Sequence, residues 1–112
     1  MKIDIQTVKA VYQMLVSTAV LRDLGLPPVS EVEFELLLVE DKVMATYTPD
    51  PDTIGICPER HRFLSSLIKS MTHEIIHMAN YYYGKSYIRH DKHFKYLRTM
   101  LAEEFGFDEN EI

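Results

Sequence analysis

The stretch from Leu64 to Tyr83 carries apolar residues at helical spacing, contains no Pro or Gly, and includes His73-Glu74-Ile75-Ile76-His77. On an α-helix, side chains four residues apart lie on one face. His73 and His77 can therefore offer two imidazole nitrogens to one ion. Glu74, one residue on, points about 100° away around the axis, which suits a proton acceptor better than a ligand. H-E-x-x-H on a helix is the zinc-hydrolase arrangement, with two His ligands and a Glu that takes a proton from water. A catalytic zinc needs three protein ligands and one open position, so a further ligand has to come from elsewhere in the chain. Leu64, Leu67, Ile68, Met71, Ile75, Met78 and Ala79 give the same helix a wide apolar face. That face makes it the most buried helix, the one the remaining chain has to cover.

A chain of 112 residues with 46% apolar and 26% charged residues is expected to form one domain, residues 1–112, around one core. The net charge of −5 supplies no bulk attraction to nucleic acid. Cys57 is the only cysteine, which excludes an intramolecular disulfide and a cysteine-based zinc site, and suits a reducing compartment. The N-terminus lacks the apolar core of a signal peptide, and no apolar run approaches membrane-spanning length. The expectation is a soluble, cytoplasmic protein with no membrane partner.

Asp4 to Leu24 is predicted to be a helix. Val8, Val11, Tyr12, Leu15 and Ala19 follow one face, Asp4 is the N-cap, and Gly25 ends it. Glu31 to Val39 alternates, with Val32, Phe34, Leu36 and Leu38 on one side and acidic residues on the other, the pattern of a half-buried strand. Glu40-Asp41-Lys42 reads as a turn into a second strand, Val43 to Thr48, its expected hairpin partner. Pro49 to Asp52 is a loop, and Thr53 to Cys57 a third strand. Gly55 within it marks a bulge or a close approach by another backbone. After the H-E-x-x-H helix, Gly84 is a stop. A last helix is expected from Asp91 to Phe105, with Phe94, Leu97, Leu101 and Phe105 on its inner face, before Gly106 and an acidic tail. The predicted class is α+β: an N-terminal helix, a small three-stranded, largely antiparallel sheet, the H-E-x-x-H helix and a C-terminal helix.

Extending the last helix back by one turn puts His90 four residues before Phe94, on the stripe that faces the core. His93 falls to the side of that stripe. His90 is the favoured third ligand and His93 the competitor. Glu103 and Glu104, further along the same helix, are the acidic alternative. The longer H-E-x-x-H-x-x-G-x-x-H pattern fails, because Asn80 stands at the Gly position and Tyr83 at the last His.

His73-Glu74-Ile75-Ile76-His77 followed by His90-Asp91-Lys92-His93-Phe94 resembles the SprT-like family of zinc metallopeptidases. The pattern there is H-E-x-x-H, a short insert, then H-x-x-x-F, usually with Gly where this chain has Asp91. The resemblance implies a minimal zincin-like domain, zinc held by His73, His77 and His90, and Glu74 as catalytic base. The small size suits the compact, phage-encoded members of the family. The Cys-rich ribbon of many bacterial members and the accessory DNA-binding or ubiquitin-binding regions do not appear in this sequence.

The function expected on these grounds is hydrolysis of a protein or peptide substrate. Thr53 to Cys57 is a strand that an extended substrate can join by β-addition, and Tyr81, Tyr82, Tyr83 and Tyr87 are candidates to steady the oxyanion, with packing their favoured use. The alternative is a DNA-associated or protein-binding module with a structural or vestigial metal. Lys85, Arg89, Lys92, Lys95 and Arg98, interleaved with Tyr87 and Tyr96, would then track a phosphate backbone.

Overall fold

Asp4 begins the first helix as its N-cap, its carboxylate accepting from Thr7 N at 2.9 Å. The computed structural model describes residues 2–112. Helix α1 (Ile5–Val16) buries Val8, Val11, Tyr12 and Leu15, the face its spacing predicts. The helix does not continue to Leu24. It breaks at Ser17 and Thr18, and a short α2 (Ala19–Arg22) follows. The Ser17 hydroxyl donates to the Gln13 carbonyl at 2.7 Å and the Thr18 hydroxyl to the Leu15 carbonyl at 2.6 Å, side-chain bonds that compete with the helical ladder. Ala19, the last position of the expected stripe, is consequently exposed.

The architecture is α+β, as expected: four helices and one three-stranded sheet. The strands are β1 (Glu33–Leu36), β2 (Ala45–Thr48) and β3 (Thr53–Ile56), each shorter than its expected range. Their order is β1-β3-β2, with β1 parallel and β2 antiparallel to β3. The predicted hairpin between the first two strands does not form. The four-residue loop Pro49 to Asp52 closes β2 onto β3 instead, because the shortest connection costs least loop entropy. The free side of β3 then takes β1. Around Asp41 the chain turns, with the Asp41 carboxylate accepting from Leu38 N at 2.8 Å and Lys42 at a φ of 60°. This link carries the chain past β3 to its far side.

With β3 central, both of its edges are filled. It cannot accept a substrate strand, contrary to the expectation for Thr53 to Cys57. β2 is the outer strand on the side nearest the H-E-x-x-H helix. Gly55 is not a bulge. A Cβ there would lie 2.6 Å from Thr46 Oγ1 and 2.9 Å from Leu37 Cδ2, so its bare Cα lets two side chains close over the outer face of the sheet.

Helix α3 (Leu64–Tyr82) is the axis of the molecule. Leu67, Met71, Ile75, Ile76, Met78 and Ala79 are buried. α1 and β2 pack on it, as does α4 (Lys92–Phe105), which presents Phe94, Leu97 and Leu101 to the core. Tyr12, fully buried, packs edge-on against Phe34 at 5.4 Å and donates to the Pro27 carbonyl at 2.7 Å, joining α1 to the sheet. Beyond Gly106, whose φ of 74° ends α4, the acidic tail does not drift into solvent. Glu109 accepts from the Thr99 hydroxyl at 2.7 Å, Glu111 pairs with Lys69 at 2.6 Å, and Ile112 is buried. Among the described residues, no helix is long and apolar enough to cross a membrane.

Candidate metal centre

Helix α3 sets two of the three histidines by spacing alone. His73 and His77 sit one turn apart, and their Nε2 atoms lie 3.1 Å from each other. His90 reaches them by another route than the predicted helical one. α4 starts only at Lys92, and Asp91 is its N-cap, accepting from Phe94 N at 2.9 Å. A helix that begins at this cap cannot include His90. The residue therefore stands in the connection ahead of the helix, and it is exposed.

The cap nevertheless aims it correctly. The His90 ring stacks on Phe94 with centroids 4.2 Å apart and planes at 15°. It lies 4.9 Å from the His73 ring and 5.0 Å from the His77 ring. Phe94, fully buried, also packs against His73 at 5.1 Å and His77 at 4.8 Å. One phenyl ring thus forms the floor beneath all three imidazoles.

The three groups fit a zinc ion. One ligand atom from each of His73, His77 and His90 lies within 4.8 Å of the others. Nitrogens about 2.0–2.1 Å from a tetrahedral ion are about 3.3 Å apart. The two α3 histidines already match, and rotation of the exposed His90 side chain can close the remainder. Burial depresses protonation of both α3 imidazoles. It lowers the pKa of His73 and brings that of His77 down to about 4, helped by the neighbouring imidazoles. Neutral imidazole is the form that binds metal. The Tyr87 and Ile112 backbone groups act weakly in the other direction on His77 and His73. Nδ1 of His77 is buried with no hydrogen-bond partner of full geometry.

Glu74 is 7% exposed, and burial raises its carboxyl to a pKa of about 7. It lines a cleft of about 540 Å³ together with His73. The start of β2, with Val43, Met44 and Ala45, forms one wall, and Ser66, Lys69 and Ser70 of α3 another. Glu111 and Ile112 close one end. The side chain next to the histidines thus faces open space with its proton affinity near neutrality, the condition for a general base.

The shifts have opposite signs in the metal-free protein. Folded His77 titrates below its ordinary 6.5, so its contribution to stability is complete above that value and is lost as pH falls toward 4. Folded Glu74 titrates above its ordinary 4.5, so its contribution is present below that value and is lost as pH rises through 7. Metal-free Glu74→Gln is therefore expected to be more stable than wild type at pH 8, by up to about 3 kcal/mol, and to lose that advantage near pH 4.5. Urea unfolding midpoints of the two metal-free proteins across this range check it. A difference independent of pH would contradict it.

The other sequence candidates are placed elsewhere. Nδ1 of His93 donates to Asn80 Oδ1 at 2.5 Å, and its ring faces Tyr83 at 5.1 Å, away from the three histidines. Glu103 and Glu104 are exposed, far along α4 from Phe94. Tyr81 donates to Asp50 at 2.9 Å, Tyr82 donates to Asp52, and Tyr87 packs against Tyr47 and Tyr81, so these rings tie α3 to the β2–β3 loop. Lys85, Arg89, Lys92 and Lys95 are exposed and Arg98 is half-buried. Cys57 is fully buried, and its carbonyl bonds His61 Nδ1 at 2.7 Å, while His61 Nε2 meets the Ser70 hydroxyl at 2.8 Å. Two features escape sequence reasoning: this buried His61 bridge, and Asn80, fully buried one turn beyond His77. An amide on an otherwise apolar helical face was the available signal, since a buried amide must find partners. No protein-family model, curated protein or solved structure matches the chain.

Proposed function

We propose that the protein is a zinc-dependent metallopeptidase, with His73, His77 and His90 as metal ligands and Glu74 as general base. One observation carries this reading. Three histidines converge within 4.8 Å, and beside them a buried carboxyl with a pKa of about 7 opens onto a cleft. A purely structural site has no use for such a carboxyl or for an open approach. The likeness of His73 to His77 and His90 to Phe94 to the SprT-like pattern points the same way.

When bound, the zinc ion acts as a Lewis acid, polarising a carbonyl and making water acidic near neutral pH. The chain's own residues do the rest. Phe94 holds the three imidazoles on one side. Glu74 takes a proton from the attacking water and delivers it to the leaving amine. Its partial desolvation raises its basicity, and the same step returns it to the carboxylate. The outer edge of β2 borders the cleft, so an extended peptide can add to it as a further strand and bring a carbonyl toward Glu74. That edge replaces the third strand as the proposed docking edge.

The test is hydrolysis of an unfolded protein substrate by the zinc-loaded chain. Activity is expected to vanish on removal of the metal with a chelator and to return with added zinc. Equal activity of the metal-free protein would remove the proposal.

A further inference from the structure

Asn80 is fully buried on α3, three residues beyond His77, and the chemistry above gives it no part. Its side chain makes three hydrogen bonds, and all of them go to the segment that carries His90. Nδ2 donates to the Ser86 carbonyl at 3.3 Å and to Asp91 Oδ1 at 3.1 Å, while Oδ1 accepts from His93 Nδ1 at 2.5 Å. Chemistry fixes the orientation of this amide. A carbonyl and a carboxylate only accept, so the nitrogen must face them. The oxygen is left to His93, which must carry its proton on Nδ1.

The three partners bracket the third ligand. Ser86 lies ahead of His90, and its hydroxyl accepts from Ile88 N and Arg89 N, each at 3.2 Å, shaping the turn that leads to the ligand. Asp91 follows His90 directly, and the oxygen that Asn80 holds is also the one that caps α4. His93 sits in the first turn of that helix. His90 itself is exposed and lies outside any helix, so its backbone has no ladder of its own to hold it.

We propose that Asn80 is the positioning residue of the metal site: it fastens residues 86–93 to α3, so that His90 is presented to His73 and His77. The inference rests on the metal-site reading above and deepens it. α3 supplies two ligands directly, and through one buried amide it also fixes where the third one stands. Truncating that amide removes all three bonds, leaves Asp91 Oδ1 with only the Phe94 N–H, and releases the segment on both sides of His90.

The experiment is zinc affinity for wild type, Asn80→Ala, His90→Ala and the double variant, measured at equilibrium by competition with a weak chromophoric chelator, so that the residual two-histidine binding of His90→Ala, too weak to survive dialysis, is still read. Groups that orient metal ligands typically cost about 10–100-fold in affinity when removed, and that loss is expected for Asn80→Ala. Since Asn80 acts through His90, adding Asn80→Ala to His90→Ala should weaken zinc by less than about twofold further. A merely structural role would lower affinity by the same factor in both backgrounds, and that result overturns the proposal. So does an Asn80→Ala protein with wild-type affinity. A wild type that binds no zinc overturns the metal site itself and this inference with it, whereas wild-type binding with an additive cycle overturns the inference alone. If Asn80→Ala yields no folded protein, His93→Phe carries the same test. It removes one of the three bonds from the far side, and is expected to give a smaller loss that likewise disappears in the His90→Ala background.

Discussion

Replacing Glu74 by glutamine is expected to reduce peptide hydrolysis by about 10²–10⁴-fold, the usual contribution of a positioned proton acceptor, with bound zinc unchanged. This corresponds to roughly 3–5 kcal/mol of lost transition-state stabilisation. Glutamine matches the carboxylate in size and fills the same place on α3, so packing around Ile75 and His73 is retained. It cannot take a proton. Glu74 lines the cleft and is not one of the three converging side chains, which is why zinc binding is expected to be unchanged. The loss should appear in kcat rather than in substrate affinity, because the proposed docking along β2 does not involve the carboxyl. Steady-state hydrolysis and zinc content of the two proteins, measured side by side, check both halves. A Glu74→Gln protein that has lost its zinc, or that cleaves at the wild-type rate, would contradict the assignment.

The H-E-x-x-H helix and most of its inner face were legible because helical periodicity is local, although Leu64, expected on that face, is exposed, Ile68 is half-buried, and Ile76, outside the expected face, is fully buried. His90 was legible for a partly mistaken reason. Both the expected helical extension and the observed Asp91 cap place it over Phe94, so its proximity to that ring survives the change of backbone. The strand order was not legible. Pairing joins residues distant in sequence, and the alternation of β1 and β2 fits several partners equally well. The short loop from Pro49 to Asp52 was the better guide, because it makes β2–β3 the cheap hairpin and leaves β1 to pair in parallel. The break in the first helix depended on the hydroxyls of Ser17 and Thr18, which compete with the ladder only once tertiary packing sets the next direction of the chain. The tail was read from its charge as a plain stop. Its docking turns on the buried Ile112 and on Lys69, 42 residues before Glu111 in the sequence. Asn80 shows the same limit, for an amide on an apolar face reveals that it needs partners, but not that all three partners belong to the segment carrying His90.

The assignment of the ligands makes the other large prediction. His73 and His77 are fixed by α3, and His90 is carried to them by the segment tied to Asn80, while His93 points to that amide instead. Removing any one of the three converging imidazoles leaves two protein ligands, which do not hold a catalytic zinc. The most direct measurement is zinc content per chain after dialysis for wild type and for His73→Ala, His77→Ala, His90→Ala and His93→Ala. The expected result is near one zinc in wild type, near none in the first three variants, and retention in His93→Ala at weaker affinity. Full zinc in His90→Ala together with its loss in His93→Ala would contradict the ligand set.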